Sequence, residues 1–343
     1  MATNVYFTKV FDDEHIKQIF SKALTDLPIP YETDDSIAIK VHFGEKGNSR
    51  FVQPAMIKPI LEELNSSKCF LTDTNTLYIG MRLNAKDHLM IAKEHGFGVL
   101  NTPIVIADGE LGEDEVAVPI NGNIFDKVKI GKYIAEADGI VAISHFKGHC
   151  LFGFGGALKN IGMGCGSRAG KLAMHSKVKP SINETCIGCN KCIKVCPADA
   201  ITILDGKAKI EDEKCIGCAR CIATCDTEAV SIPWGGASSE EAMERCAEYA
   251  LGAALSKKCV YITFINNIAK DCDCAPDSEI IGEDVGIVAS IDPVACDQAA
   301  YDLVKEKHGR DIFEKEIGID GTHFLHYAEK IGIGSRKYSL IKM

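Results

Sequence analysis

The chain has 343 residues, 25% of them charged, and a formal net charge of −10. That acidity argues against nucleic acid as a partner, since nucleic-acid binders carry a basic face. No apolar run approaches the roughly 18 residues that span a bilayer. The opening stretch MATNVYFTKVFDDEH lacks a basic end followed by an apolar core, so no secretory signal or membrane partner is expected and the location is read as cytoplasmic.

Taken in order, residues 36–44 (SIAIKVHFG) read as a strand, a short β-branched run ending in glycine. Residues 53–65 read as a helix with Pro54 near its start; Pro59 is expected to disturb the first turns or move that start. Strands are expected at 69–76, 102–108 and 139–145, and a helix at 82–97 that stops at Gly96. Beyond a long cysteine block, 238–258 reads as a helix capped by Ser238 or Ser239, with acids in its first turn. Strands follow at 259–268 and 285–292, and a helix at 293–307 begins with proline. The alternation predicts an α/β fold with a mostly parallel sheet and flanking helices. Because αβ material resumes after the cysteine block, the expected organisation is one αβ domain in two parts, 1–180 and 234–343, interrupted by an inserted α+β domain at 181–233.

Sixteen cysteines are present. With no sign of export they point to metal or redox chemistry rather than disulfides, and to a reducing, oxygen-poor setting, because exposed thiolates and clusters oxidise readily. Half of them fall in two runs, CIGCNKCIKVCP from Cys186 and CIGCARCIATCD from Cys215. Each reads C-x2-C-x2-C-x3-C. Iron–sulfur clusters need soft thiolates, and this tight loop wraps one corner of a cubane. In two-cluster ferredoxins the fourth cysteine of each such run ligates the other cluster. Cluster one then takes Cys186, Cys189, Cys192 and Cys225; cluster two takes Cys215, Cys218, Cys221 and Cys196. Structural zinc is the alternative, but zinc sites usually pair cysteines in two separated arms. The block resembles two-[4Fe–4S] bacterial ferredoxins over about residues 181 to 233. Asp226 departs from that pattern where the first run has Pro197, which implies a looser turn and not a lost ligand.

In open parallel sheets, ligands bind beyond the carboxyl ends of the strands. Four predicted strand ends carry dense functional groups: His42, Glu45, Lys46 and Arg50; Asp73, Asn75 and Arg82; His145, Lys147 and His149; and the run NNIAKDCDC. Each alone reads as a solvated loop; together they predict a shared cleft. The glycine-rich stretch 149–175 lacks the spacing of a Walker loop. It reads either as a segment that lets backbone approach a ligand, with amides facing an anion, or as a packing turn. It carries His149, Lys159 and His175. Imidazoles titrate near neutrality and serve as acid and base, and a lysine in an apolar pocket can carry a covalent adduct. Cys272 and Cys274 could chelate a third metal or cluster with Cys165 and His175, or stand as two free thiols in a loop.

The whole chain resembles the DUF362 family in its form with an internal ferredoxin domain. The resemblance rests on KVHFGE (40–45), DTNTLYIGMR (73–82), SHFKGH (144–149), GFGGALKNIGMGCGSRAGK (153–171), CDC (272–274) and DVGIVASIDPVACDQA (284–299). It implies the fold and iron–sulfur binding, with no known reaction. A more distant similarity is to the nickel-dependent lactate racemases, carried by the spacing of His149, Lys159 and His175. Matched residue by residue, it implies Lys159 as the cofactor-bearing lysine and His175 as a metal ligand. His149 and His88 would form the acid–base pair and Arg50 the carboxylate anchor. Those racemases have no ferredoxin insertion, and the CDC segment is not part of their site. The leading expectation is an oxidoreductase whose two [4Fe–4S] clusters relay electrons to a substrate or metal in the αβ cleft. The alternatives are a ferredoxin-like carrier or assembly protein and a racemase or epimerase with structural clusters. The expected partner is a redox protein or a small-molecule substrate. A cavity joining His88, His149, Lys159 and His175 separates an enzyme from a carrier.

Overall fold

Alternation along residues 36–40 sets the architecture: Ile37 and Ile39 enter one apolar layer and Ala38 enters another. A strand buried on both faces needs helices above and below it. The computed structural model describes residues 2–64, 66–176, 179–232 and 236–343. Asn65, the expected end of the second element, lies outside the described residues, as do Met1, residues 177 and 178 of the expected first segment, and residues 233–235 at the expected boundary at 233/234.

In chain order, β1 (Thr3–Thr8), α1 (Asp13–Thr25), β2 (Ser36–Lys40), α2 (Pro54–Glu63), β3 (Lys68–Asp73), α3 (Ala85–Glu94) and β4 (Ile104–Ile106) lead to a hairpin of β5 (Glu115–Pro119) and β6 (Lys127–Gly131). Then come α4 (Lys132–Ala135), β7 (Gly139–His145), β8 (Lys147–His149), β9 (Gly153–Gly155), α5 (Ala157–Cys165) and α6 (Arg168–His175). The cysteine-rich insert holds β10 (Ser181–Ile182), α7 (Lys191–Lys194), β11 (Ile201–Leu204), β12 (Lys207–Ile210), α8 (Arg220–Ala223) and β13 (Val230–Ser231). The chain closes with α9 (Ser239–Ala254), β14 (Lys258–Ile265), β15 (Gly286–Ser290), α10 (Pro293–His308), α11 (Ile312–Ile317), α12 (Thr322–Lys330) and β16 (Tyr338–Lys342).

The main sheet has eight strands in the order β16-β1-β15-β14-β7-β2-β3-β4. β15 pairs antiparallel with both neighbours, and every other pairing is parallel. The mostly parallel α/β sheet expected from the alternation is therefore present. Its strands come from both sides of the insert, so β14 pairs with β7 although the insert separates them in sequence. One face packs on α1, α2 and α3 through residues such as Ile16, Ile57 and Ala92. The other packs on α5, α9, α10 and α12 through Ile161, Ala247, Ala299 and Leu325. Among the described residues no helix is long and apolar enough to cross a membrane.

Local chemistry explains the element ends. Ser238 caps α9 in a capping box with Glu241, and Asp292 caps α10 ahead of Pro293. α2 starts at Pro54 and runs through Pro59, whose side chain is buried. Pro59 forfeits one helical hydrogen bond but leaves the start where the first proline puts it. The glycine-rich stretch is mostly two helices, not a turn. Its glycines serve packing: a Cβ at Gly162 would collide with the Cys246 carbonyl of α9, and one at Gly164 with the Lys40 ammonium.

Within the insert, the two cysteine runs share one backbone course. Gly188 and Gly217 take φ of 65° and 68°, Asn190 and Ala219 take 64° and 58°, and Asp199 and Glu228 take 47° and 55°. β10 pairs antiparallel with β13, so the insert's first and last strands are neighbours.

Candidate functional site

β2, β3, β7 and β14 run parallel, so their carboxyl ends share one edge of the sheet. A cavity of about 510 Å³ opens there. Its wall takes Lys40 and His42 from the end of β2, Asp73, Tyr78 and Arg82 from beyond β3, and His145, Lys147 and His149 from β7 and β8. Lys159 and Asn160 on α5 and Lys171 and His175 on α6 contribute further, and Asp271–Cys274 follow β14.

α5 presents Gly156, Lys159, Asn160, Met163 and Gly164 to the cavity, the i, i+3, i+4, i+7, i+8 face of one helix. Its first two amides are already used: Ala157 N–H and Leu158 N–H donate to the buried Asp297 carboxylate at 2.6 and 2.9 Å. Burial outweighs those two bonds and pushes Asp297 up to about 7. α6 presents Lys171 and His175 one turn apart. Burial pushes Lys171 down to about 8, and its ammonium donates to Thr74 Oγ1 and, at 2.9 Å, to the Gly166 carbonyl. Burial and the Lys159 charge push His175 down to about 4. The same causes hold His149 well below the usual imidazole range. His149 Nδ1 accepts from Leu151 N–H at 3.1 Å, so the neutral ring carries its proton on Nε2.

The β3 side of the cavity is charged and paired. Asp73 accepts from Arg82 Nη1 at 3.2 Å and forms an ion pair with Lys40 Nζ at 3.1 Å. Against its burial, Lys40, His88 and Arg82 hold its carboxyl well below the usual range. Arg82 also reaches Glu45, Tyr78 Oη and Cys274 Sγ, the last at 3.2 Å. Across the cavity, Asp273 fastens the CDC loop to β7 and β8, accepting from His145 Nδ1 at 2.8 Å and forming an ion pair with Lys147 Nζ at 3.0 Å. Those two groups overcome burial and hold Asp273 well below its ordinary value.

The structure therefore brings together His149, Lys159, His175, Cys272 and Cys274. It does not bring His88, Arg50 or Cys165 to the cavity wall. His88 is fully buried behind Asp73, 3.8 Å from its carboxylate and edge-on to Phe43, and neither ring nitrogen makes a hydrogen bond among the described residues. Arg50 donates to the Pro276 carbonyl at 2.9 Å. Cys165 is buried in the apolar core, and burial pushes its thiol up to about 12. Sequence reasoning passed over Lys40, Tyr78, Asn160 and Lys171. Tyr78 was findable, since it lies in the same loop as Asp73 and Arg82.

Two groups of side chains have metal-binding chemistry. His149, Cys150 and Asp271 place one donor atom each within 4.8 Å of one another. The insert's eight cysteines form the other. Cys196, Cys215, Cys218 and Cys221 line one hollow with Ile201, Ile216 and Ala219. Two sulfurs already accept backbone amides at 3.3 Å, Cys196 from Ala200 and Cys186 from Ala208. The insert does not stand apart from the cavity. Leu77 and Leu172 share one apolar cluster with Cys192, Cys221 and Ile222. Leu77 itself lines the cavity, and Leu172 follows Lys171 on α6.

Among solved structures, the chain is similar to the lactate racemase apoprotein from Thermoanaerobacterium thermosaccharolyticum, at 15% identity and a TM-score of 0.36, covering 76% of this chain and 50% of that one. It is also similar to a structural-genomics crystal structure of a protein from Thermotoga maritima, at 13% identity and a TM-score of 0.37, covering 87% and 59%. The chain thus spans half of the racemase and less than two thirds of the Thermotoga protein. No curated protein matches it. Residues 37–302 match the family described as a domain of unknown function, DUF362, and the chain belongs to that family.

Proposed function

We propose that the protein is an iron–sulfur oxidoreductase that acts on a small molecule in the cavity at the sheet edge. Residues 181–233 are read as an inserted ferredoxin-type domain within an αβ domain of two parts. Cys186, Cys189, Cys192 and Cys225 would hold one [4Fe–4S] cluster, and Cys215, Cys218, Cys221 and Cys196 the other. The donor chemistry fits: eight soft sulfurs, four of them around one hollow, with amides already directed at two of them. When bound, such clusters supply single electrons. A protein redox partner delivers or removes those electrons, in a reducing cytoplasm.

The observation that carries the reading is the shared packing of Leu77 and Leu172 with the insert's cysteines on one side, and the place of Leu77 and of Lys171, the residue before Leu172, at the cavity on the other. A carrier needs neither a cavity of this size nor its ring of paired charges. The racemase-like reading is less well supported, because only His149, Lys159 and His175 of its five residues meet there. The test is iron, sulfide, nickel and zinc analysis of anaerobically purified protein, with electron paramagnetic resonance after reduction. The expected result is about eight iron and eight sulfide per chain. Near four iron, or zinc in the place of iron, refutes the assignment. Cys218→Ala is expected to remove about half of the iron.

A further inference from the structure

We propose that Cys272 and Cys274 are a redox-active dithiol that closes to a disulfide, and that this pair carries two electrons to a small disulfide bound in the cavity. The proposal rests on the iron–sulfur reading for its electron source, but the pair itself is argued from its surroundings.

Cys274 Sγ is the hub of the cavity. Arg82 Nη2 donates to it at 3.2 Å, and His42 Nε2 lies 3.5 Å away. Gly44 N–H donates to His42 Nδ1 at 3.0 Å, so the neutral ring carries its proton on Nε2, facing the sulfur. Tyr78 Oη accepts from the same Arg82 guanidinium and donates its own proton to Glu45 Oε2 at 3.0 Å. Two nitrogen donors on one sulfur, one of them a guanidinium, favour a nucleophilic sulfur over a structural one. Its neighbour Cys272 is the thiol that can resolve an adduct, and both line the cavity. A disulfide between residues two apart closes a small ring, and strained disulfides are the easily reduced, catalytic kind. The position suits the electron source. Leu77 packs with the insert's cysteines, and the next residue, Tyr78, accepts from the same Arg82 Nη2 that donates to Cys274.

The step balances as follows. The Cys272–Cys274 bond takes two electrons, supplied singly by an iron–sulfur donor, and breaks. Cys272 takes up one proton, and Cys274 keeps its charge against Arg82 and His42. Cys274 then attacks a sulfur of the substrate disulfide and releases one thiolate. Cys272 displaces the remaining half, re-forming the internal disulfide, and its proton leaves on the second thiol.

The test uses anaerobic holoprotein and bis(2-hydroxyethyl) disulfide as the probe. After brief exposure, acid quench and alkylation, mass spectrometry of the peptide holding Cys272 and Cys274 is expected to show the loss of two hydrogens and no alkyl label, with both labels regained after dithiothreitol. Cys272→Ser is expected to trap a hydroxyethylthio adduct on Cys274, and Cys274→Ser to form adduct at least about tenfold more slowly. Reduced methyl viologen is expected to restore both labels, at least about tenfold faster in the wild type than in Cys218→Ala. Two alkyl labels after the probe, or protection that a chelator removes, overturns the dithiol. Equal methyl viologen rates in the two proteins overturn the electron route. Iron and sulfide assayed on the same sample test the cluster reading separately, since the disulfide readout needs no cluster.

Discussion

Asp273→Asn probes the attachment of the CDC loop. The Asp273 side chain is 1% exposed, accepts from His145 Nδ1 and forms an ion pair with Lys147 Nζ; these two partners are 1% and 11% exposed. Asparagine can accept from one of them, but its amide then turns a donor toward the other. Removing one member of a buried ion pair costs about 3–5 kcal/mol, because the remaining charge is left without compensation. The lower end, about 3 kcal/mol, fits here because one hydrogen bond survives. Because the folded-state pKa of Asp273 is depressed, its contribution is fully present above the unfolded value of about 3.9 and lost as pH falls through the folded value. The wild type is therefore expected to exceed the variant by about 3 kcal/mol at neutral pH, with the gap narrowing below about pH 4. Anaerobic urea unfolding at several pH values measures this, and the rate of alkylation at Cys272 reports loosening of the loop. A change below about 1 kcal/mol at pH 7, with unchanged alkylation, would refute the claim that this carboxylate anchors the loop.

Asp297→Asn is expected to show the opposite dependence. Its folded pKa is raised to about 7, so the folded wild type binds the extra proton and loses stability as pH rises from about 4 to 7. The variant's stability curve should be flatter across that window; an equal slope refutes the burial argument. Glu248 is fully buried and accepts from the backbone amides of Asn123, Ile124 and Phe125 and from Tyr327 Oη. Glu248→Ala leaves those buried donors without a partner and is expected to destabilise by about 3 kcal/mol or more in the same urea assay.

The strand ends were legible for a reason that belongs to parallel sheets. A buried strand reads as a β-branched run, and the polar residues that follow it have to sit at the sheet edge; His42, Asp73, His145 and Cys272 were all found this way. The first element pair was equally findable and was passed over. Asp12 caps α1 ahead of Asp13 and Glu14, and Ile16, Ile19, Phe20 and Ala23 mark its buried face. β16 carries little signal, because as an edge strand it exposes three of its five residues.

The glycine-rich run failed for the opposite reason. Glycine is a poor helix former, and only tertiary packing, of Gly162 against α9 and Gly164 against Lys40, makes α5 a helix. Missing that helix is what joined Cys165 to the expected metal set. At about 100° per residue, the cavity face of α5 passes through Gly156, Lys159, Asn160, Met163 and Gly164. Cys165 is nine residues beyond Gly156, about 180° around from the middle of that face, and so enters the core with Ile161 and Leu158. The same arithmetic keeps Lys171 and His175 together, since four residues on α6 return to one side. The chemistry of this cavity is therefore selected by helix phase as much as by residue type. Of the three sulfurs in the expected third site, the two that line it, Cys272 and Cys274, are held by a loop, where no helix phase could turn one of them away.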